Sequence, residues 1–207
     1  DADGDPVVDA GGATTPSGLG SRNGFGLSVV GLDASFDTGA VGATAFLRFG
    51  PSVPIYYASD TSVAGLDSIL GGYLTFKPTP ELVIDAGYFG TIYGAEVAEN
   101  WQNMNYTRGA LYYLMQPFYH TGLRAAYQVN DTFGLTALVV NGTNLNGLGG
   151  FGEDGNHSPH LGLQATITPS DALNLAVGWY GGAGSPEAYA EMAVATVARG
   201  FTALKFD

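Results

Sequence analysis

The chain reads as an all-β protein, an antiparallel up-and-down transmembrane β-barrel, complete or partial, with a short C-terminal helix-strand tail. Three observations predict this. Only 13% of the 207 residues are charged, against about a quarter in an ordinary soluble domain, and Gly (32), Tyr (12) and Phe (11) are abundant. Apolar and polar residues alternate with period two through most of the middle of the chain, the signature of strands with one apolar and one polar face. Short turns alternate with long polar loops, as they do between the two ends of a membrane barrel.

Composition bounds the rest. There is no cysteine, so neither a disulfide framework nor a thiolate site is present. No apolar run approaches the ~18 residues of a transmembrane helix. The formal net charge of −12, with seven scattered basic residues, excludes nucleic acid as a partner, because phosphate neutralisation needs clustered Lys and Arg.

Residues 1–23 form an acidic leader rich in Gly, Ala and Thr, which cannot bury enough apolar surface to order itself. Within it Asp1, Asp3, Asp5 and Asp9 sit near the spacing of an acidic loop around Ca²⁺. The motif occurs once and no Glu closes it at the twelfth position, so a solvated leader is the stronger reading and calcium the weaker one.

From Gly24 the pattern turns to strand. Leu27 and Val29, then Leu32, Ala34 and Phe36, alternate with a one-residue slip near Val30-Gly31 that a bulge would produce. Val41, Ala43, Ala45, Leu47 and Phe49 then point one way and Gly42, Thr44 and Arg48 the other. A long polar loop follows to Asp67. In the next hairpin Leu70, Leu74 and Phe76 alternate with Tyr73, Thr75 and Lys77, and Leu82, Ile84, Ala86 and Tyr88 with Asp85 and Gly87. Asp85 is informative, because a mid-strand carboxylate facing lipid costs several kcal/mol and must turn inward. Gly94 to Trp101 has helix-like character.

The third hairpin is the clearest. Tyr119, Leu123, Ala125, Tyr127 and Val129 alternate with His120, Arg124 and Gln128, and after Asn130-Asp131-Thr132 the alternation resumes as Phe133, Leu135, Ala137 and Val139. A Gly- and Asn-rich loop follows; its His157 and His160 beside Glu153 and Asp154 are a weak metal candidate. The fourth hairpin sets Leu161, Leu163, Ala165 and Ile167 against Leu173, Leu175, Val177 and Trp179.

Three strings in this order, Asn105-Tyr106-Thr107-Arg108, Pro117 to Arg124 (PFYHTGLR) and Val139-Val140-Asn141-Gly142, resemble the bacterial outer-membrane β-barrel porins of the porin-2 type, over about residues 24–180. The resemblance implies a bacterial outer-membrane channel, embedded in the lipid bilayer and open to oligomerisation with its own kind, for passive diffusion of small hydrophilic solutes, with no catalytic step and no cofactor. It implies that residues 90–118 are a loop inserted into the lumen. The pore-lining candidates are Arg48, Asp85, Glu96, Arg108, His120, Arg124 and Gln128, with Glu99 a further ionisable group of the loop. Pairing of Arg108 with a Glu, merely to anchor the loop, is an equal reading. The porins resembled are longer and end on an aromatic strand, so further strands are expected beyond this sequence.

Residues 181–207 fit less well. Ser185 to Gly200 reads as a capped amphipathic helix and Phe201 to Phe206 as a strand. This tail weakly resembles the start of the barrel of mandelate-racemase-like sugar-acid dehydratases, with Lys205 at the position of a catalytic Lys. A fragment of such an enzyme is the second functional reading, and a soluble secreted β-sandwich that binds a ligand is the third.

Overall fold

The computed structural model describes residues 29–50, 68–105, 116–141, 159–170, 173–182 and 188–196, together with 27, 53, 108, 109 and 112. Nine strands run β1 (Val30–Asp37), β2 (Val41–Phe49), β3 (Ile69–Thr79), β4 (Leu82–Gly90), β5 (Tyr119–Gln128), β6 (Phe133–Val140), β7 (His160–Ser170), β8 (Leu173–Gly182) and β9 (Ala188–Thr196). They form one sheet in chain order with every neighbour antiparallel. A β-sandwich needs two packed sheets, so that expectation is overturned. The described residues give no pairing between β1 and β9.

Register decides which residues share a face. One row across the sheet runs Gly42, Thr75, Asp85, Arg124, Leu138, Gly162, Tyr180, each the direct partner of the next. The residues one step along each strand make up the opposite face: Val41, Ala43, Leu74, Phe76, Ile84, Leu123, Leu135, Val139, Leu163, Val177 and their neighbours. Every charged residue of β1 to β8 (Asp33, Asp37, Arg48, Lys77, Asp85 and Arg124) belongs to the first face and none to the second. The second face is nevertheless exposed: Phe36 is 64% accessible, Leu74 63% and Leu163 59%. Monomeric soluble proteins rarely expose so continuous an apolar surface, and the outer band of a membrane barrel is made of one.

Tight turns join the odd strands to the even ones. At the third hairpin Asn130 Oδ1 accepts from the backbone N–H groups of Thr132 and Phe133, each at 2.9 Å, a side chain imitating a backbone turn. The first turn repeats the device, with Asp37 Oδ1 accepting from Gly39 N at 2.7 Å. The strand ends joined by longer connections, Phe49 and Ile69, Gly90 and Tyr119, and Val140 and His160, lie at the opposite end.

Four expectations are corrected. The helix expected over 185–199 is not formed; Ala188–Thr196 is a strand paired with β8 from Gly181↔Ala188 to Leu173↔Thr196. Its Ala-rich sequence suits both periods, and the free edge of β8 decides for strand, a tertiary override of local propensity. The helix-like stretch from Gly94 to Trp101 contains only one 3₁₀ turn, Asn100–Gln102. β1 pairs without a slip from Val30 onward, and the bulge lies on β3 instead, where Phe46↔Gly71 is followed by Leu47↔Ile69 and Leu70 is left over. Leu70 and Tyr88, expected on the apolar outer face, are buried in a cluster with Tyr119 and Val53. The acidic leader with its four Asp residues, the loop to Asp67, His157 and the segment bearing Lys205 lie outside the described residues.

Candidate functional site: the lumen and its inserted loop

The connection from β4 to β5 crosses the charged face of the sheet. Just after β4, Tyr93 donates its hydroxyl hydrogen to the carbonyl oxygen of Trp179 on β8 at 2.8 Å, and its ring packs 5.6 Å from that of Tyr180. Gln164 of β7 donates to Ile92 O at 2.7 Å. The Tyr93 ring fits because glycine stands beneath it twice. A Cβ at Gly178 would lie 2.8 Å from Tyr93 Cε1, and one at Gly162 would strike the Tyr93 hydroxyl. β4 and β8 are four strands apart in the sheet, so this contact requires the sheet to curl around the loop.

The other end of the loop is held by charge. Arg48 of β2, 4% exposed, donates from Nε (2.9 Å) and Nη2 (2.7 Å) to Glu99 Oε1 on the loop, and from Nη1 to Asp33 on β1. A guanidinium suits this position because its fixed fork of donors reaches two carboxylates at once. The loop also ties itself together. Gly109 N donates to Glu96 Oε2 at 2.9 Å, Gln116 Nε2 to Glu96 O at 2.7 Å, and Asn103 Nδ2 to Val97 O at 2.6 Å. Gly94, at φ +86°, leaves the space that Gln116 fills.

Between these anchors the lumen is uneven. Towards β5–β8 it is closed by Phe89, Tyr93, Leu138, Val140 and Tyr180, each 1% exposed, with His120 and His160 fully buried among them. His120 Nε2 lies 3.0 Å from Thr91 Oγ1, and His160 Nδ1 lies 3.0 Å from the Tyr180 hydroxyl, so each ring has a place in the packing. Towards β1–β4 a cavity of about 270 Å³ remains, lined by Asp33, Arg48, Glu96, Glu99, Gln116 and Tyr112, among others.

Below the loop, Asp85 accepts from Thr75 Oγ1 at 2.7 Å and from Arg124 Nε and Nη2 at 3.0 and 2.7 Å. Arg124 lies 4.8 Å from the Phe89 ring centre and 5.6 Å from that of Tyr73, contacts that hold its guanidinium against both rings.

Of the residues singled out from sequence, Arg48, Asp85, Arg124 and His120 lie on the charged face of the sheet, and Glu96 and Arg108 are buried in the loop. Arg108 lies over the Tyr112 ring at 5.8 Å and donates to Val97 O at 3.4 Å. The loop is anchored to the wall by Arg48 with Glu99. Gln128 stands apart: exposed at the end of β5, it donates to Asn130 O at 2.5 Å and to Phe133 O at 3.3 Å, closing the turn. His160 faces Tyr180, and no group of three metal-ligating side chains occurs among the described residues. Sequence reasoning passed over Tyr93 and its glycine seat. The even positions of Gly162 and Gly178 marked their face but not what covers it.

A single sheet with all its strand charges on one face and a loop threaded across that face is the geometry of a porin. The family model described as "Putative beta-barrel porin-2, OmpL-like" matches residues 8–202. The chain belongs to this porin family. The match runs through β9 and beyond residue 181. No curated protein and no solved structure matches the chain.

Proposed function

We propose that the protein sits in the bacterial outer membrane and lets small hydrophilic solutes diffuse passively through its lumen, with the 91–118 loop as the constriction. The observation that carries this reading is the segregation of charge. All six charged residues of β1 to β8 share the face that the loop crosses, while the opposite face, Thr121 apart, offers lipid an apolar surface. The bilayer core tolerates backbone only where every N–H and C=O is satisfied, and a sheet ladder satisfies them between strands. Transport needs no chemical step: a solute crosses because water and polar side chains replace its hydration along the way.

The test is reconstitution. The full chain, refolded from denaturant into detergent and then into planar bilayers, is expected to give discrete conductance steps and to make liposomes permeable to small polar solutes. A chain that folds and stays monomeric in plain buffer, or that inserts without conducting, overturns the reading.

A further inference from the structure

The lumen does not offer a solute two equal routes. Its β5–β8 side is closed by a packed layer in which Tyr93, Tyr180, Phe89, His120 and His160 are at most 1% exposed. A cavity of about 270 Å³ opens beside Arg48, and among the described residues its lining carries three carboxylates, Asp33, Glu96 and Glu99, against one guanidinium. Arg48 does not act there as a free positive charge. Its Nε and Nη2 are occupied by Glu99 and its Nη1 by Asp33, so two carboxylates share one cation. Asp33 is 56% exposed and turns its remaining charge towards water. Elsewhere on the inner face of β1 to β8, the described charges are matched one to one, Arg124 with Asp85 at 2.7 Å and Lys77 with Asp37 at 2.5 Å. Arg108 lies over the Tyr112 ring, which lines the cavity, and is itself outside the lining, so it lowers the local excess without reversing it.

We infer that this cavity is the narrow part of the permeation path and that Asp33, Glu96 and Glu99, outnumbering Arg48, make it favour cationic over anionic solutes. The inference rests on the channel reading above and adds the sign of its selectivity. A narrow passage with low-dielectric walls concentrates the field of the charges that line it, so an excess of one or two carboxylates acts on every passing ion.

The experiment is the reversal potential of reconstituted channels under a KCl gradient. The wild-type chain is expected to pass K⁺ over Cl⁻ by on the order of threefold to tenfold in dilute salt. The ratio should fall towards unity near 1 M salt, where the Debye length is about 3 Å. Asp33→Asn, which leaves the Arg48–Glu99 anchor intact, should lower the ratio. Glu99→Gln should lower it too, and should also raise conductance by loosening the loop. A wild-type reversal potential near zero or of anionic sign overturns the inference while leaving the channel standing. Cation preference that neither substitution changes overturns the assignment to these residues. A folded barrel without conductance removes the channel reading and this one with it.

Discussion

The hydroxyl of Tyr93 and the backbone carbonyl of Trp179, 86 residues apart in sequence, are joined by a 2.8 Å hydrogen bond across the lumen. That bond, the glycine seat below the ring and the Arg48–Glu99 pair on the far side fix the inserted loop to two distant parts of one sheet. The loop is held at two points by unlike forces, apolar packing on β7–β8 and charge on β2, and the two can be separated by mutation.

Removing the hydroxyl alone, Tyr93→Phe, should cost about 1 kcal/mol, the net contribution of one hydrogen bond, and leave conductance close to wild type. Tyr93→Ala removes a fully buried ring and should cost about 3 kcal/mol or more, with a larger conductance as the β5–β8 side opens. Gly162→Val tests the same contact from the wall. Its side chain fits a strand but meets the Tyr93 hydroxyl, so the barrel should still form while the loop is displaced. Equilibrium unfolding in detergent and single-channel recordings read the two effects independently.

The Asp85–Arg124 pair should behave asymmetrically. Asp85 is 8% exposed and Arg124 22%, so taking away the cation strands the more buried charge. Arg124→Met is expected to destabilise by roughly 3–5 kcal/mol, the usual cost of orphaning a buried partner. Asp85→Asn should cost less, because Arg124 keeps water on one side and the Phe89 and Tyr73 rings on the other. The double variant should be less destabilised than the sum of the two. Additivity in a urea titration would mean that the pair does not interact.

The outer wall was legible in the sequence because it depends on strand period alone: once Leu123, Ala125 and Tyr127 alternate with Arg124 and Gln128, register carries the pattern across the sheet. Asp85 could be turned inward by the same argument. The lumen was less legible. Tyr93 meets Gly162 and Gly178 only because the sheet curls, and Glu99 reaches Arg48 across 51 residues; period-two reasoning says nothing about either. Leu70 was misplaced because one bulge shifts alternation without changing composition. β9 was read as a helix because Ala, Glu and Met favour helix when no neighbour is in view, and the open edge of β8 supplies one.

Two glycines face each other across β4 and β5, Gly87↔Gly122, with φ of +141° and +154°. A Cβ at Gly87 would lie 2.8 Å from Tyr73 Cα, and one at Gly122 2.7 Å from Val140 Cα, so each lets its neighbouring strand approach closely. Gly87→Ala and Gly122→Ala should each destabilise by more than the ~1 kcal/mol of an ordinary backbone effect, because strain and a clash with main chain add together. Gly72→Ala is the control, since a Cβ there meets nothing within 4 Å. Thermal loss of the compact form on unboiled gels ranks the three.

The last prediction separates a lipid-facing wall from a merely exposed one. Leu74 is 63% and Val177 52% exposed, and on a water-facing surface replacing either by Arg should change stability by no more than about 0.5 kcal/mol. Against lipid the same substitution should cost roughly 2–4 kcal/mol near the midplane, because the guanidinium must leave water or drag it into the bilayer. Asn174→Arg, on the lumenal row of β8 next to Val177's row, stays hydrated and should be close to neutral. The comparison is made by unfolding in lipid vesicles. If Leu74→Arg and Val177→Arg are as mild as Asn174→Arg, the apolar face does not meet a bilayer; if only the lumenal substitution is tolerated, the alternation that first organised the sequence is a record of two solvents.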